Sequence, residues 1–229
     1  MSMGTPIGAA GRSDAPEHDT PPEHASPPLA DHYYTAAPAG PDRRRLLQVE
    51  LASRPLTVQT APGVFCPDRV DVGTAVLLRE VTDPPQRGDL LDLGCGWGPI
   101  ALTLGLRAPE AHVWAVDVNE RAVGLTRDNA RALGITRLTA TAPDEVPDDI
   151  RFAAIWSNPP IRVGKAALRQ MLQRWLPRLE AGGTAYLVVQ KNLGADSLQR
   201  WVDLTVEGVG CQRVGTSRGF RVLAARRVP

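Results

Sequence analysis

The sequence predicts an α/β fold in which a mostly parallel sheet is covered by helices on both faces, with an antiparallel hairpin at its end and a small β-hairpin extension before it. Three observations carry that expectation. Five apolar runs are followed in turn by helical or loop segments, a glycine-rich turn leads out of the first, and the last two extended segments are joined by a tight turn at 217–219.

Residues 1–30 are rich in Pro, Gly, Ala and charge and nearly free of large apolar side chains, so they bury too little area to offset the entropy of ordering. They are expected to form a disordered tail. From Arg45, the stretch LLQVELASRPLTVQTAPGVF alternates apolar and polar residues around a turn at 52–55, which predicts a β-hairpin within an N-terminal extension of residues 31–80. The main domain is expected to span residues 81–229. Strand 90–93 leads through glycines into helix 99–106, and strand 113–116 leads to a helix that Asn119 caps and Gly134 ends. A weaker run at 138–142 passes into a polar loop. Strand 152–156 ends at Ser157-Asn158-Pro159-Pro160, after which Leu168, Met171, Leu172, Trp175 and Leu176 recur at helical spacing. A Gly182-Gly183 turn precedes strand 184–190, a helix at 196–202 follows, and strands near 212–216 and 220–225 close the fold.

Composition narrows the function classes. A length of 229 residues suits one full domain with a small addition. A chain of this size buries about 70% of its unfolded surface, enough for a core without disulfides or metal. Its three cysteines, Cys66, Cys95 and Cys211, are odd in number and far apart, which fits neither a disulfide framework nor a zinc site and points to a reducing cytoplasm. No apolar run reaches the roughly 18–20 residues of a membrane span, and no signal peptide is evident. A cytoplasmic protein with no membrane partner is expected. The net charge of +1 hides an asymmetry: residues 1–32 carry −4 and the remainder +5, a balance compatible with an RNA partner.

Two loops carry the chemistry. In DLLDLGCGWGPIAL, Gly94, Gly96 and Gly98 let the backbone lie against a ligand without Cβ interference. A dinucleotide fingerprint places its third glycine three residues after the second, and here Pro99 stands there. Asp92, on the strand before the turn, repels a pyrophosphate and suits an ammonium or sulfonium. Asp117, at the tip of the next strand, is placed to accept the hydroxyls of a ribose, with Asn119 free to cap the helix. Together they indicate an adenosyl ligand without phosphates. The second loop, IWSNPPIR, holds Asn158 before two prolines that fix the turn, at the carboxyl end of a strand beside the first loop.

With LDLGCGWGPI, VDVN, WSNPPIR and the upstream GVFCPDRVDVGT, the chain resembles class I S-adenosylmethionine-dependent methyltransferases, and within them the methyltransferase small-domain proteins. The resemblance runs from about residue 31 to the C-terminus. In appearance it is nearest to the enzymes that methylate guanine N2 in 16S ribosomal RNA. It implies a Rossmann-like seven-stranded sheet, S-adenosyl-L-methionine as cofactor, no metal, and ribosomal RNA or the small ribosomal subunit as partner. Carried onto this sequence, Asp92, Gly94, Cys95, Gly96 and Gly98 surround the methionine part, Asp117 and Val118 the ribose side, and Asp144 the adenine. Asn158 and the Pro159 carbonyl accept the two N–H bonds of the target amine, while Pro160, Ile161, Arg162 and Phe65 meet the substrate. Ile161 stands where many amino-methylating enzymes have an aromatic, so base gripping is shared with Phe65 or Tyr34. Ala153 stands where relatives commonly have Asp, and the chain has room for one of the two domains of better-known members. Two other readings stay open: the same chemistry on a protein glutamine, an adenine N6 or a small amine, and a non-catalytic RNA-binding protein on a degenerate methyltransferase fold.

Overall fold

The computed structural model describes residues 40–160 and 164–229. The tail at 1–30, Tyr34, Ile161 and Arg162 therefore lie outside the described residues. Strands β1 (Arg45–Leu51) and β2 (Arg54–Thr60) form the expected hairpin, paired from Arg45↔Thr60 to Leu51↔Arg54. Helix α1 (Val72–Glu80) follows, capped by the Asp71 side chain. The sequence reading has no helix at this place, inside a segment expected to be an appendage.

The body then alternates as expected: β3 (Asp89–Leu93), α2 (Pro99–Arg107), β4 (His112–Val116), α3 (Glu120–Ala132), β5 (Leu138–Thr141), β6 (Phe152–Ser157), α4 (Lys165–Trp175), β7 (Leu179–Gln190), α5 (Ala195–Thr205), β8 (Val209–Ser217) and β9 (Phe220–Arg227). Seven strands join in the order β5-β4-β3-β6-β7-β9-β8, parallel except for β9, which runs antiparallel to both β7 and β8. The weak third run is an edge strand followed only by a single 3-10 turn at Pro143–Glu145. Strand β7 begins earlier than expected: Gly182 and Gly183 lie within it, where the pairing register with β6 shifts between Phe152 and Ala154. Residues 180–183 stand opposite Ala153 alone and regular pairing begins at Thr184, directly after the two glycines.

Strand alternation sorts the core into two layers. Leu90, Trp156, Val188 and Val222 point to one face and pack with Val76 and Leu77 of α1, Ile100 and Leu104 of α2 and Val123 of α3. Leu91, Ile155, Leu187 and Leu223 point to the other and pack with Leu168, Leu172 and Trp175 of α4 and Leu198 and Val202 of α5. Both faces are dry, as a parallel sheet requires. A third cluster seats Leu51 and Val58 of the hairpin on Trp97, Leu102 and Leu125. The Asn129 amide fixes the hairpin's height: its oxygen accepts the Gln59 N–H at 2.6 Å, and its nitrogen donates to the carbonyls of Gln59 and Trp97 at 2.9 and 3.0 Å. No helix is long and apolar enough to cross a membrane among the described residues.

Candidate active site

Strand order reverses between β3 and β6, so their carboxyl ends flank a natural crevice. A cleft of about 820 Å³ opens there, lined by Gly94, Asp117, Val118 and Pro143 and by Asp71, Asn158, Pro159 and Pro160. Phe65, Cys66 and Pro67, from the segment between β2 and α1, form part of its wall, with Met171 and Arg174 of α4, Gln190, Leu193 and Phe220.

The loop after β3 is held from behind. Gly94 and Cys95 both donate to the Val116 carbonyl, at 2.8 and 3.0 Å, and Gly96 N–H donates to Asp117 Oδ2 at 2.9 Å. Gly94 and Gly96 have φ of +82° and +57°, and a Cβ on either would meet nothing within 4 Å. Gly94 is exposed and lines the cleft, whereas Gly96 is buried behind it; both take a backbone conformation that only glycine adopts without strain. Cys95 and Gly98 serve the cradle from below: the thiol is buried beside Thr126 Oγ1, and Gly98 is the N-cap residue of α2.

Asp117 accepts one backbone N–H on each oxygen, from Gly96 and from Asn119 at 2.9 Å, and keeps acceptor capacity toward the cleft. Burial raises its carboxyl above the ordinary range, opposed by the N–H groups of Asn119, Gly96 and Val118. Val118 next to it is half exposed and, like Pro143, lines the cleft. The Asp117 carboxylate, the Gly94 turn and the apolar side chains of the lining suit an adenosyl ligand.

Asp92 does not line the cleft, contrary to the expectation that a ligand passes beside it. It is fully buried under the loop, with Oδ2 accepting the Ala101 N–H at 2.9 Å and Oδ1 without a partner among the described residues. Burial pushes its carboxyl up to about 8; the Ala101 N–H opposes this and the Asp117 charge adds to it. A raised pKa means that the folded protein holds this proton where the unfolded chain has lost it. The contribution to stability is whole below about pH 4 and disappears as pH rises through about 8. Asp92→Asn is expected to flatten the pH dependence of the melting temperature of the cofactor-free protein between those limits, read by thermal unfolding.

Asp144 departs from expectation as well. It is highly exposed and pairs with Arg174 at 2.7 Å, while Arg174 also donates to the Pro143 carbonyl at 2.8 Å. Pro143 and Arg174, rather than Asp144, face the cleft. Arg221 of β9 is buried and pairs with Asp196 at the start of α5.

Directly after β6, Asn158 Nδ2 donates to Asp71 Oδ2 at 2.8 Å and to Thr74 Oγ1 at 3.1 Å. A carboxylate oxygen only accepts, so the nitrogen must face Asp71 and the amide oxygen turns away from it, on a residue that lines the cleft. Asp71 and Thr74 carry no site role in the sequence reading. Their signal was local, an Asp preceding Gly73-Thr74 as an N-cap, whereas their partner is 87 and 84 residues away. The wall from 61 to 67 is held by Asn119 Nδ2 on the Gly63 carbonyl at 2.7 Å, Arg121 on Pro62 at 2.6 Å and Trp97 Nε1 on Cys66 at 3.2 Å. Among the described residues, no group of three His, Cys, Asp or Glu is arranged to hold a metal.

Residues 55–224 match a family model described as methyltransferase small domain. The chain is 32% identical over 203 residues to the uncharacterized protein YbxB of Bacillus subtilis (strain 168), covering 87% of this chain and all of that one. It is 35% identical over 201 residues to ribosomal RNA small subunit methyltransferase C of Ectopseudomonas mendocina (strain ymp), covering 83% of this chain but only 58% of that protein. Among solved structures, a T. thermophilus 16S rRNA N2 methyltransferase in complex with AdoMet and guanosine matches with a TM-score of 0.70 and 24% identity, over 82% of this chain and 51% of that one. That likeness is one of fold.

Proposed function

This chain belongs to the methyltransferase small domain family, and from that membership we propose that it methylates an exocyclic amino nitrogen, the N2 of a guanine in ribosomal RNA. Its cofactor is S-adenosylmethionine. When bound, this cofactor supplies an electrophilic methyl group on a sulfonium. Gly94 and Gly96 are the cradle for its amino-acid part, Asp117 accepts from its ribose hydroxyls, and Val118 and Pro143 flank the adenine.

The observation that carries the reading is the orientation of Asn158. A guanine N2 is a weak nucleophile because its lone pair is delocalised into the ring. An Asn158 Oδ1 turned into the cleft accepts one N–H of that amine and moves electron density onto nitrogen. The Pro159 carbonyl is the partner assigned to the second N–H. Asn158 sits directly after β6 and is followed by two prolines, so the acceptor is held before the substrate arrives, the condition under which electrostatic stabilisation is effective. Orientation of the two reactants supplies roughly 7–11 kcal/mol in favourable cases, and no covalent enzyme intermediate is needed. Phe65, Pro160, Ile161 and Arg162 are assigned to the substrate.

Ribosomal RNA as substrate rests on the curated relatives named for that activity, of which this chain spans 58%. Transfer of labelled methyl from S-adenosylmethionine to free ribosomal RNA, small subunits and protein, followed by nucleoside mass spectrometry, tests it. N2-methylguanosine is the expected product; label confined to protein overturns the substrate, and label in N6-methyladenosine overturns the base.

A further inference from the structure

We propose that Asp71 is a positioning residue of the methyl-transfer centre, which selects the reactive orientation of the Asn158 amide and places a negative charge behind it. The inference rests on the reading of Asn158 as the acceptor for the target amine. Asp71 Oδ2 gathers three donors: Gly73 N–H at 2.8 Å, Thr74 N–H at 3.3 Å and Asn158 Nδ2 at 2.8 Å. The Thr74 hydroxyl, in a buried residue, takes Asn158 Nδ2 at 3.1 Å.

An amide side chain has two orientations related by a half turn, and they differ in chemistry. With nitrogen toward Asp71, the oxygen faces the cleft and accepts from an amine. With the amide reversed, its oxygen would sit against a carboxylate oxygen, two acceptors in contact, and its N–H groups would engage the amine lone pair that must attack the methyl group. The carboxylate therefore excludes the orientation that blocks the reaction. Donation from the amide nitrogen to a charged acceptor also strengthens Oδ1 as an acceptor through amide resonance. As the nitrogen takes the methyl group it becomes cationic, and a fixed anion one amide away stabilises that change. Helix α1, from the N-terminal extension, thereby becomes part of the reaction centre.

The competing role is structural: Asp71 caps α1. Ser is as good an N-cap as Asp, so Asp71→Ser keeps the cap and removes the carboxylate. In the full chain, Asp71→Ser and Asp71→Asn are expected to lower kcat about 10–100-fold, with cofactor affinity by calorimetry and melting temperature near wild type. Thr74→Ser is expected to retain activity and Thr74→Val to lose part of it. In the cofactor-free protein, the Asn158 side-chain NH2 resonances are expected to move upfield in Asp71→Ser as the charged acceptor is lost. Added to Asn158→Ala, Asp71→Ser is expected to cause no further fall, because it acts through that amide. Wild-type kcat in Asp71→Ser beside an impaired Asn158→Ala leaves Asp71 a helix cap and overturns this inference alone. Wild-type kcat in Asn158→Ala overturns the reading beneath it.

Discussion

Asn158→Ala is expected to lower kcat about 10²–10³-fold, the loss that follows removal of one preorganised hydrogen-bonding group from a charge-developing centre. The effect should fall on kcat and kcat/KM together, because the bond from the amine to Oδ1 strengthens as nitrogen gains positive charge during transfer. Cofactor affinity should remain, since the cofactor is assigned to Gly94 and Asp117, which line the cleft and make no hydrogen bond to the Asn158 side chain. Asn158→Asp is the informative partner variant. It keeps an acceptor but places a second carboxylate against Asp71 Oδ2, where the amide nitrogen now donates at 2.8 Å. Repulsion should displace the side chain or force a proton onto the pair, so kcat should fall here too, with a pH dependence that Asn158→Ala lacks. Steady-state methyl transfer at several pH values measures both. Full turnover in Asn158→Ala removes the assigned centre.

What could be read from the chain alone divides along a physical line. The central strands β3 and β6 were legible because they are buried on both faces and so appear as nearly continuous apolar runs, and the two loops were legible because glycine and proline have strong local meaning. At Gly182-Gly183 the same signal marks where regular pairing starts, at Thr184, although β7 itself begins at Leu179. Helix α1 was hidden because it spans only nine residues, several of them β-branched, and is made helical by packing of Val76 and Leu77 rather than by propensity. Site residues followed the same rule. Asp117 and Asn158 announce themselves at strand ends. The partners Asp71 and Thr74, and the pairing of Asp144 with Arg174, depend on contacts 30 to 87 residues away that only the fold creates. Asp92 was noticed for its place next to the glycine loop, but strand alternation turns its carboxyl inward, where it accepts the Ala101 N–H instead of lining the cleft.

Asp117→Ala is expected to weaken cofactor binding about 100-fold, equivalent to roughly 3 kcal/mol, the upper range for a hydrogen bond to a charged group. Two contributions produce that figure. The carboxylate presents its remaining acceptor sites to the ribose hydroxyls, and its two oxygens also fix the N–H groups of Gly96 and Asn119, so the cradle loosens when it is lost. S-adenosylhomocysteine separates this role from simple charge attraction. The two ligands share the ribose and differ in the sulfonium charge, so a hydroxyl acceptor gives equal losses for both, whereas attraction of the cation weakens S-adenosylmethionine alone. Asp117→Asn sharpens the comparison: an amide of the same size retains one acceptor and loses the charge, so its loss for S-adenosylhomocysteine should be smaller than that of Ala. Titration calorimetry of both ligands against wild type and the two variants measures this, and unchanged affinity for both in Asp117→Ala removes Asp117 from the cofactor site.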